Sequence, residues 1–213
     1  MIPVTYSQAN QGIVDGYENR TAVDKDPAYW NDDAVTPVRS QIKNHYISDQ
    51  QQRCCYCRLV YPTNHNAVWD GEHIIPRALA ARFMFEPRNL AASCKDCNNA
   101  KSDQEVRVRP NRVSFPDQSA HYKIMHPHFD EYDQHIAWYG KVVRALSQKG
   151  IKLVEMCNLQ RFGLAKIGAD TLPINATVAE TIGKFMDPNL PPLEAEMALA
   201  SLQAYVKTIK PKN

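Results

Sequence analysis

The chain has 213 residues, of which 44% are hydrophobic and 23% are charged, and its formal net charge is +2. This composition predicts a folded globular protein and excludes fibrous and low-complexity classes. No apolar run is long enough to cross a bilayer, and residues 1–12 lack the basic and apolar segments of a secretory signal. We therefore expect a cytoplasmic protein without a membrane partner.

Positive charge is concentrated in the middle of the chain. Residues 51–113 carry 10 basic and 6 acidic side chains, whereas residues 1–50 carry 4 basic and 7 acidic ones. An uneven solvated surface would give the same counts. Together with the motifs described below, however, the positive excess favours a phosphate-rich partner.

The first region, residues 1–50, is predicted to be an N-terminal arm followed by a helix. Its first thirty residues are polar and predict irregular backbone, with Tyr29 and Trp30 packing the arm onto the core. A helix is predicted from Thr36, because Pro37 suits a first helical turn and apolar residues then recur at four-residue spacing.

The second region, residues 51–105, is predicted to be a compact α+β core. Residues 53–62 predict a metal knuckle followed by a short strand, and Val68 to Ile75 predict a second strand. Residues 77–87 predict a loop with one helical turn. A helix is expected to begin at Leu90 and to continue to about residue 103, with the second cysteine pair near its start.

The third region, residues 106–213, is predicted to be mixed and mainly helical, packed on the core and available to a partner. It begins with an exposed basic connector and continues with a short β-hairpin turning at Gly140-Lys141. The positions of Ile151 and Leu153 suggest another strand. Helices are predicted at residues 159–167 and 176–186 and at the C-terminus, where an apolar stripe indicates packing.

Four of the six cysteines form two Cys-x-x-Cys pairs that are separated by 36 residues. Four thiolates in tetrahedral geometry favour zinc, and a closed four-sulfur site leaves no open position for water. A disulfide framework is the alternative, but nothing in the sequence indicates export. We therefore predict a structural zinc held by Cys54, Cys57, Cys94 and Cys97. Cys55 and Cys157 are interpreted as bystanders.

The loop that this zinc would close contains residues suited to catalysis. A neutral imidazole at His73 can take a proton from water. Glu72 and Asn98 offer oxygen atoms that suit magnesium or manganese. Lys101 lies one helical turn beyond Asn98 and is predicted to contact a phosphate.

In order, these motifs are Cys-x-x-Cys, Glu-His-Ile-x-Pro, Asn-Leu and Cys-x-x-Cys-Asn-x-x-Lys, and together they resemble the HNH endonucleases with a structural zinc. The resemblance covers roughly residues 50–105. It implies a ββα-metal fold, in which two strands and a helix hold one catalytic divalent ion, here embedded in additional helices and a short β-hairpin. The implied activity is metal-dependent hydrolysis of phosphodiester bonds, with DNA favoured and RNA as an alternative.

The resemblance assigns functions to individual residues of this chain. His73 matches the general base, and Asn98 matches the metal-binding residue on the helix. Asn89 matches the residue that fixes the loop carrying the base. Glu72 stands where the family often has Asp, so the longer side chain leaves open a direct or water-mediated contact with Mg²⁺ or Mn²⁺. We assign nucleic-acid contacts to the basic residues Arg77, Lys101, Arg107 and Arg109.

The flanks of this core resemble the nuclease subunit of Septu-type antiphage systems. The features that carry this resemblance are the chain length, the His-Pro-His-Phe-Asp segment and the leucine-rich tail. It implies an ABC-type ATPase as the partner. His126 and His128, with Asp130, could add a ligand or phosphate contact, or they could form a proline-containing turn held by hydrogen bonds.

Two further interpretations fit parts of the sequence. A zinc-stapled adaptor for nucleic acid or protein, without catalysis, would explain the cysteines, although it would not need Glu72, His73 and Asn98. An obligate subunit that is inactive alone would fit the modest net charge, because free-standing DNA-binding proteins often carry a larger basic excess.

Overall fold

The structure, a computed structural model, describes residues 1–65, 67–139, 141–162 and 176–208. The helices and strands in these residues are α1 (Gln8–Glu18), α2 (Thr36–Asp49), β1 (Trp69–His73), β2 (Leu90–Cys94), α3 (Lys95–Lys101), β3 (Ile136–Tyr139), β4 (Val142–Ala145), α4 (Gln148–Met156), α5 (Ala176–Met186) and α6 (Pro192–Thr208). Short 3₁₀ turns lie at Ala22–Asp24, Pro27–Asn31, Asp33–Val35, Ala81–Phe83, Pro87–Asn89, Ser119–His121 and Tyr132–Gln134.

The N-terminal region is more helical than its polar sequence predicts. Residues 8–18 form α1, so the prediction of irregular backbone is wrong there. Ser7 caps this helix by accepting a hydrogen bond from the Asn10 amide, and Val14 and Tyr17 bury one face. The helix predicted from Thr36 is confirmed as α2.

The middle of the chain forms an antiparallel strand pair followed at once by a helix. In this pair, Trp69 of β1 lies opposite Cys94 of β2, and His73 lies opposite Leu90. Helix α3 begins at the residue after β2 and packs against both strands. Helix α2 packs on the same strands. The pair is therefore covered by helices from two distant parts of the sequence.

Two predictions for this region are wrong in detail. The strand predicted after the first cysteine pair is reduced to an isolated bridge between Arg53 and Val60. The chain turns back there, with Arg58 in the left-handed region at φ 59°. The helix predicted from Leu90 begins only at Lys95, because the fully buried run before it pairs with β1 as a strand. Short apolar runs of this kind have no readable periodicity.

The C-terminal region contains the predicted hairpin, formed by β3 and β4, although Gly140 of its turn lies outside the described residues. The strand predicted at Ile151 and Leu153 is wrong, because these residues lie in α4. Gly150 lies in the first turn of this helix, where the backbone of His135 approaches closely. A Cβ at this position would lie 2.0 Å from the carbonyl oxygen of His135.

One hydrophobic core extends from Val4 to Leu159 and includes residues from all three predicted regions. The helix predicted at residues 176–186 is confirmed as α5, and it packs against α6. The helix predicted at residues 159–167 falls mostly outside the described residues, as does the last residue of the C-terminal apolar stripe, Ile209. Among the described helices, none combines the length and apolar character that a membrane span requires.

Candidate metal centre and active site

The four cysteines of the two Cys-x-x-Cys pairs converge in the interior of the protein. Their Sγ atoms lie within 4.8 Å of one another, and all four residues are buried. Within the described residues, no other group of three or more His, Cys, Asp or Glu side chains is close enough to share an ion. Four buried thiols at this spacing fit the tetrahedral sulfur coordination of zinc, so the cluster can hold a structural zinc ion.

The first cysteine pair is held against β2 by hydrogen bonds. The Cys55 amide donates to the carbonyl oxygen of Ala92 at 3.1 Å, and the Cys94 amide donates to Cys54 Sγ at 3.3 Å. The side chain of Gln50 donates to the carbonyl oxygen of Ala92 and accepts from its amide, at 2.8 Å in both cases. These contacts fix the knuckle to the strand that carries the second pair.

The C-terminal region also reaches the cysteine cluster. Arg161 donates from Nη2 to Cys97 Sγ at 3.2 Å, and its Nη1 donates to the carbonyl oxygens of Cys157 and Asn158. A guanidinium beside a thiolate offsets part of the negative charge that four sulfurs bring to zinc. Cys55 and Cys157 are buried but lie outside the cluster of four, as predicted.

A cavity of about 740 Å³ opens beside this centre, and the predicted catalytic residues Glu72, His73 and Asn98 line it. Helix α2 and the arm before it form one wall, with Trp30 and Lys43 among the lining residues. The indole of Trp30 meets the His73 ring edge to face, with centroids 4.4 Å apart. The N-terminal region is therefore part of the candidate site.

The His73 imidazole is held in one tautomer. Its Nε2 lies 3.0 Å from the carbonyl oxygen of Met84. Because a carbonyl oxygen can only accept, Nε2 carries the proton and Nδ1 carries the lone pair. Burial, together with the nearby Arg77 charge, lowers the pKa of His73 to about 3, so the ring is neutral at cellular pH. Nδ1 makes no hydrogen bond with the described residues, so it is available as a base.

Glu72 is oriented by two neighbours that share one of its oxygens. Tyr56 donates its hydroxyl to Oε1 at 2.9 Å, and the Lys101 ammonium lies 2.6 Å from the same atom. The side chain is only 2% exposed, and burial raises the pKa of this carboxyl, partly offset by Lys101. Oε2 has no partner among the described residues. One oxygen of Glu72 is thus anchored and the other remains free for a ligand.

Lys101 lies at the wall of the cavity, where its ammonium is paired with Glu72 and almost fully buried. Its contact with a phosphate stays a prediction. Its side chain is 1% exposed. Besides Glu72, its ammonium donates to the backbone carbonyl oxygen of His73 at 3.1 Å. A single buried cation therefore ties together the two neighbouring residues that carry the candidate base and the candidate ligand.

We expect Lys101→Met to destabilise the protein by about 3–5 kcal/mol, because it leaves the Glu72 carboxylate buried without its partner. The double variant Lys101→Met with Glu72→Gln removes both charges and is expected to recover much of that loss. Urea unfolding followed by circular dichroism measures both free energies. Equal losses in the single and double variants would contradict an interaction between the two side chains.

Asn98 and Asp70 meet at the edge of the cavity. The Asn98 amide nitrogen Nδ2 donates to Asp70 Oδ2 at 2.9 Å, and Lys95 Nζ lies 2.8 Å from Asp70 Oδ1. The Asn98 amide oxygen Oδ1 makes no hydrogen bond with the described residues. Asp70 was not predicted from the sequence, although alternation along β1 places it on the same face as Glu72.

The side chain of Asn89 holds the loop that follows β1. It is fully buried and accepts from the Ile75 amide at 2.7 Å, while its own amide nitrogen donates to the carbonyl oxygens of Ile75 and Phe83. It makes no hydrogen bond with the His73 ring among the described residues. The Asn89 side chain therefore joins the residues after β1 to the turn at Ala81–Phe83.

The predicted nucleic-acid contacts lie in different environments. Arg77 lines the cavity and donates to the carbonyl oxygen of Pro27. Arg109 is exposed beside a second cavity of about 250 Å³. Arg107 is only 3% exposed and pairs with Glu105, so its prediction is corrected to a structural contact.

The His-Pro-His-Phe-Asp segment is part of the core and does not line the main cavity. His126 is fully buried, and its backbone amide donates to Asp130 Oδ2 at 2.7 Å. Lys149 pairs with the same carboxylate. His128 lies with Nε2 2.8 Å from the carbonyl oxygen of Leu90. Of the two alternatives, these contacts favour the hydrogen-bonded turn.

Comparison with known proteins finds a distant similarity to a curated protein. No family model matches the chain, and no solved structure matches it. The chain is 24% identical over 148 residues to the Septu protein PtuB of Bacillus thuringiensis, across 68% of this chain and 51% of that protein. The chain is distantly similar to a Septu protein. It spans about half the length of that relative.

Sequence reasoning missed the residues that orient the site. Tyr56 lies inside the first Cys-x-x-Cys pair and Asp70 lies two residues before Glu72, so strand alternation could have indicated Asp70. Lys43 and Arg161 lie far from the motif in sequence. For these two residues, only the three-dimensional structure shows that they are close.

Proposed function

We propose that this protein is a metal-dependent HNH-type endonuclease that hydrolyses phosphodiester bonds of nucleic acid, with DNA favoured. The observation that carries the proposal is the meeting of three residues in one open cavity. His73, Glu72 and Asn98 all line it, and each has one atom without a partner among the described residues. These atoms are a nitrogen lone pair and two oxygens, which suit proton transfer and a hard cation.

His73 Nδ1 would take the proton from a water molecule, which then attacks phosphorus. The hydrogen bond to the Met84 carbonyl oxygen keeps the ring in the required tautomer and orientation. The contact between Trp30 and the ring restricts its movement. Lys101 fixes the backbone of His73 by donating a hydrogen bond to its carbonyl oxygen. Together these contacts hold a base at the cavity surface with a fixed lone-pair direction.

A divalent cation fits the remaining donors. Glu72 Oε2 and Asn98 Oδ1 are hard oxygen atoms of the kind that Mg²⁺ and Mn²⁺ prefer, and these ions commonly keep several waters beside a few protein ligands. When bound there, such an ion would stabilise the negative charge on the leaving 3′ oxygen. The chain itself supplies the orientation of both oxygens through Tyr56 and Lys101 on one side and Asp70 on the other.

Selective removal of metal tests this proposal. Treatment of the zinc-loaded protein with a mild chelator is expected to abolish cleavage of plasmid DNA, and added Mg²⁺ or Mn²⁺ is expected to restore it. Zinc content and the circular dichroism spectrum should stay unchanged throughout, because the thiolate site is buried and closed. Cleavage that survives removal of exchangeable cations would contradict the mechanism. The absence of cleavage with every metal would favour the adaptor.

The similarity to a Septu protein supports a place in antiphage defence, where we infer an ABC-type ATPase partner. The α5–α6 pair offers exposed apolar side chains for such a contact, including Leu193 and Met197. Co-expression with a candidate ABC-type ATPase partner is expected to give a complex that survives size-exclusion chromatography. A free monomer with full activity would contradict the partnership.

A further inference from the structure

We infer that Asp70 is a positioning residue that sets the orientation of the Asn98 amide and so presents the Asn98 oxygen to the divalent cation. The inference rests on the proposed function, because it concerns the same metal position. It adds a residue outside the motif of Glu72, His73 and Asn98. It also makes a prediction about metal affinity that can fail while the nuclease proposal stands.

The Asn98 side chain needs a partner that fixes the orientation of its amide. A carboxamide has one oxygen and one nitrogen of similar size, and either can face a ligand. Only the oxygen can bind a cation. An ionised carboxylate can only accept hydrogen bonds, so the group that lies 2.9 Å from Asp70 Oδ2 must be Nδ2. Asn98 Oδ1 is then directed away from Asp70, and the residue lines the cavity.

Each oxygen of Asp70 already has one partner. Its Oδ1 is 2.8 Å from Lys95 Nζ, and its Oδ2 accepts from Asn98. The positive charge of Lys95 offsets the carboxylate charge at this position. Glu72, by contrast, keeps Oε2 without a partner among the described residues. The two acidic residues on this face of β1 therefore differ: Glu72 offers a free oxygen, and Asp70 orients its neighbour.

The location of Asp70 makes the inference testable without unfolding the protein. Its side chain is 26% exposed, and it lies outside the hydrophobic core. Substitution here is expected to leave the zinc content and the circular dichroism spectrum unchanged. Lys95→Ala is a matched control, because it removes the other partner of the same carboxylate and keeps the bond to Asn98.

The experiment titrates zinc-loaded protein with Mn²⁺ and measures binding by calorimetry and by electron paramagnetic resonance. Asp70→Ala is expected to weaken Mn²⁺ binding about 10- to 100-fold, the usual effect of removing an outer-shell partner. Lys95→Ala is expected to leave the affinity unchanged or to raise it, because it removes a positive charge near the ion.

A second parent protein, the Asn98→Asp variant, distinguishes whether Asp70 positions Asn98 or binds the ion directly. In Asn98→Asp, both ligand atoms at position 98 are oxygens, so no orienting partner is needed. Adding Asp70→Ala to this background should leave Mn²⁺ affinity within about two-fold or increase it, and the two effects should be strongly non-additive. A 10-fold loss in both backgrounds would mean that Asp70 binds the ion itself and would overturn the inference.

The remaining outcomes distinguish this inference from the proposed function. If the unmodified protein binds Mn²⁺ and Asn98→Ala weakens binding while Asp70→Ala does not, the inference fails and the nuclease proposal stands. If the unmodified protein binds no Mn²⁺ beyond its zinc site, or if Asn98→Ala has no effect, the proposed metal position itself is wrong.

Discussion

Replacing His73 with alanine is expected to lower the rate of phosphodiester cleavage by about 10²–10⁴-fold, the usual contribution of a positioned general base. The physical reason is the loss of the lone pair on Nδ1. The other ring nitrogen, Nε2, is bound to the Met84 carbonyl oxygen and cannot replace it. A plasmid-cleavage assay with Mg²⁺ or Mn²⁺ measures the effect. Mn²⁺ affinity should change little, because the candidate metal oxygens belong to Glu72 and Asn98.

His65→Ala provides a matched control, because this histidine is exposed and does not line the main cavity. It is expected to cleave at the normal rate. His73→Ala should keep its circular dichroism spectrum and zinc content, which separates lost chemistry from lost folding. Undiminished cleavage by folded His73→Ala protein would remove this residue from the mechanism and with it the nuclease assignment in its present form.

Loss of the zinc ligands, unlike loss of His73, is expected to have a large effect on folding. Structural zinc contributes about 10–16 kcal/mol of binding energy in zinc-finger peptides, and this energy is available only in the folded state. The double variant Cys94→Ser with Cys97→Ser should therefore lose zinc and unfold the central segment, because these residues join β2 and α3 to the first knuckle. Metal analysis and circular dichroism during thermal unfolding measure both effects.

Cys157→Ala is the control for this experiment, since it removes a buried thiol that lies outside the cluster. It is expected to retain one zinc per chain and to lose only the packing energy of a small side chain. A cluster variant that kept its zinc and its cooperative unfolding would show that the four thiols do not form a metal site. Formation of disulfides between them in the native protein would contradict the zinc assignment equally.

The ligand residues could be predicted from sequence because their spacing is local. Each Cys-x-x-Cys pair places two sulfurs on one turn, and only the meeting of the two pairs depends on the fold. Whether a short segment forms a strand or a helix was harder to predict. Residues 90–94 have the length and apolar character of either a strand or the start of a helix, and their pairing with β1 decided between them.

The orientation of the site could not be predicted, because it depends on contacts between distant residues. Lys101 was predicted to contact a phosphate, and nothing in the sequence indicated that its ammonium pairs with Glu72. Trp30 and Lys43 come from residues 1–50, where acidic side chains outnumber basic ones and no phosphate-binding surface was predicted, yet they line the cavity. A motif therefore identifies the chemical groups. The packing of the remaining chain determines which atoms of those groups stay free.

The contacts of β2 also limit how this protein can assemble with others. On the side away from β1, the carbonyl oxygen of Leu90 is bound by His128, both polar groups of Ala92 by Gln50, and the amide of Cys94 by Cys54. The side chains of Gln50, Cys54 and His128 thus occupy the backbone groups that an incoming strand would need. Strand addition at this edge of β2 is therefore closed, which removes one site for edge-to-edge pairing with another chain.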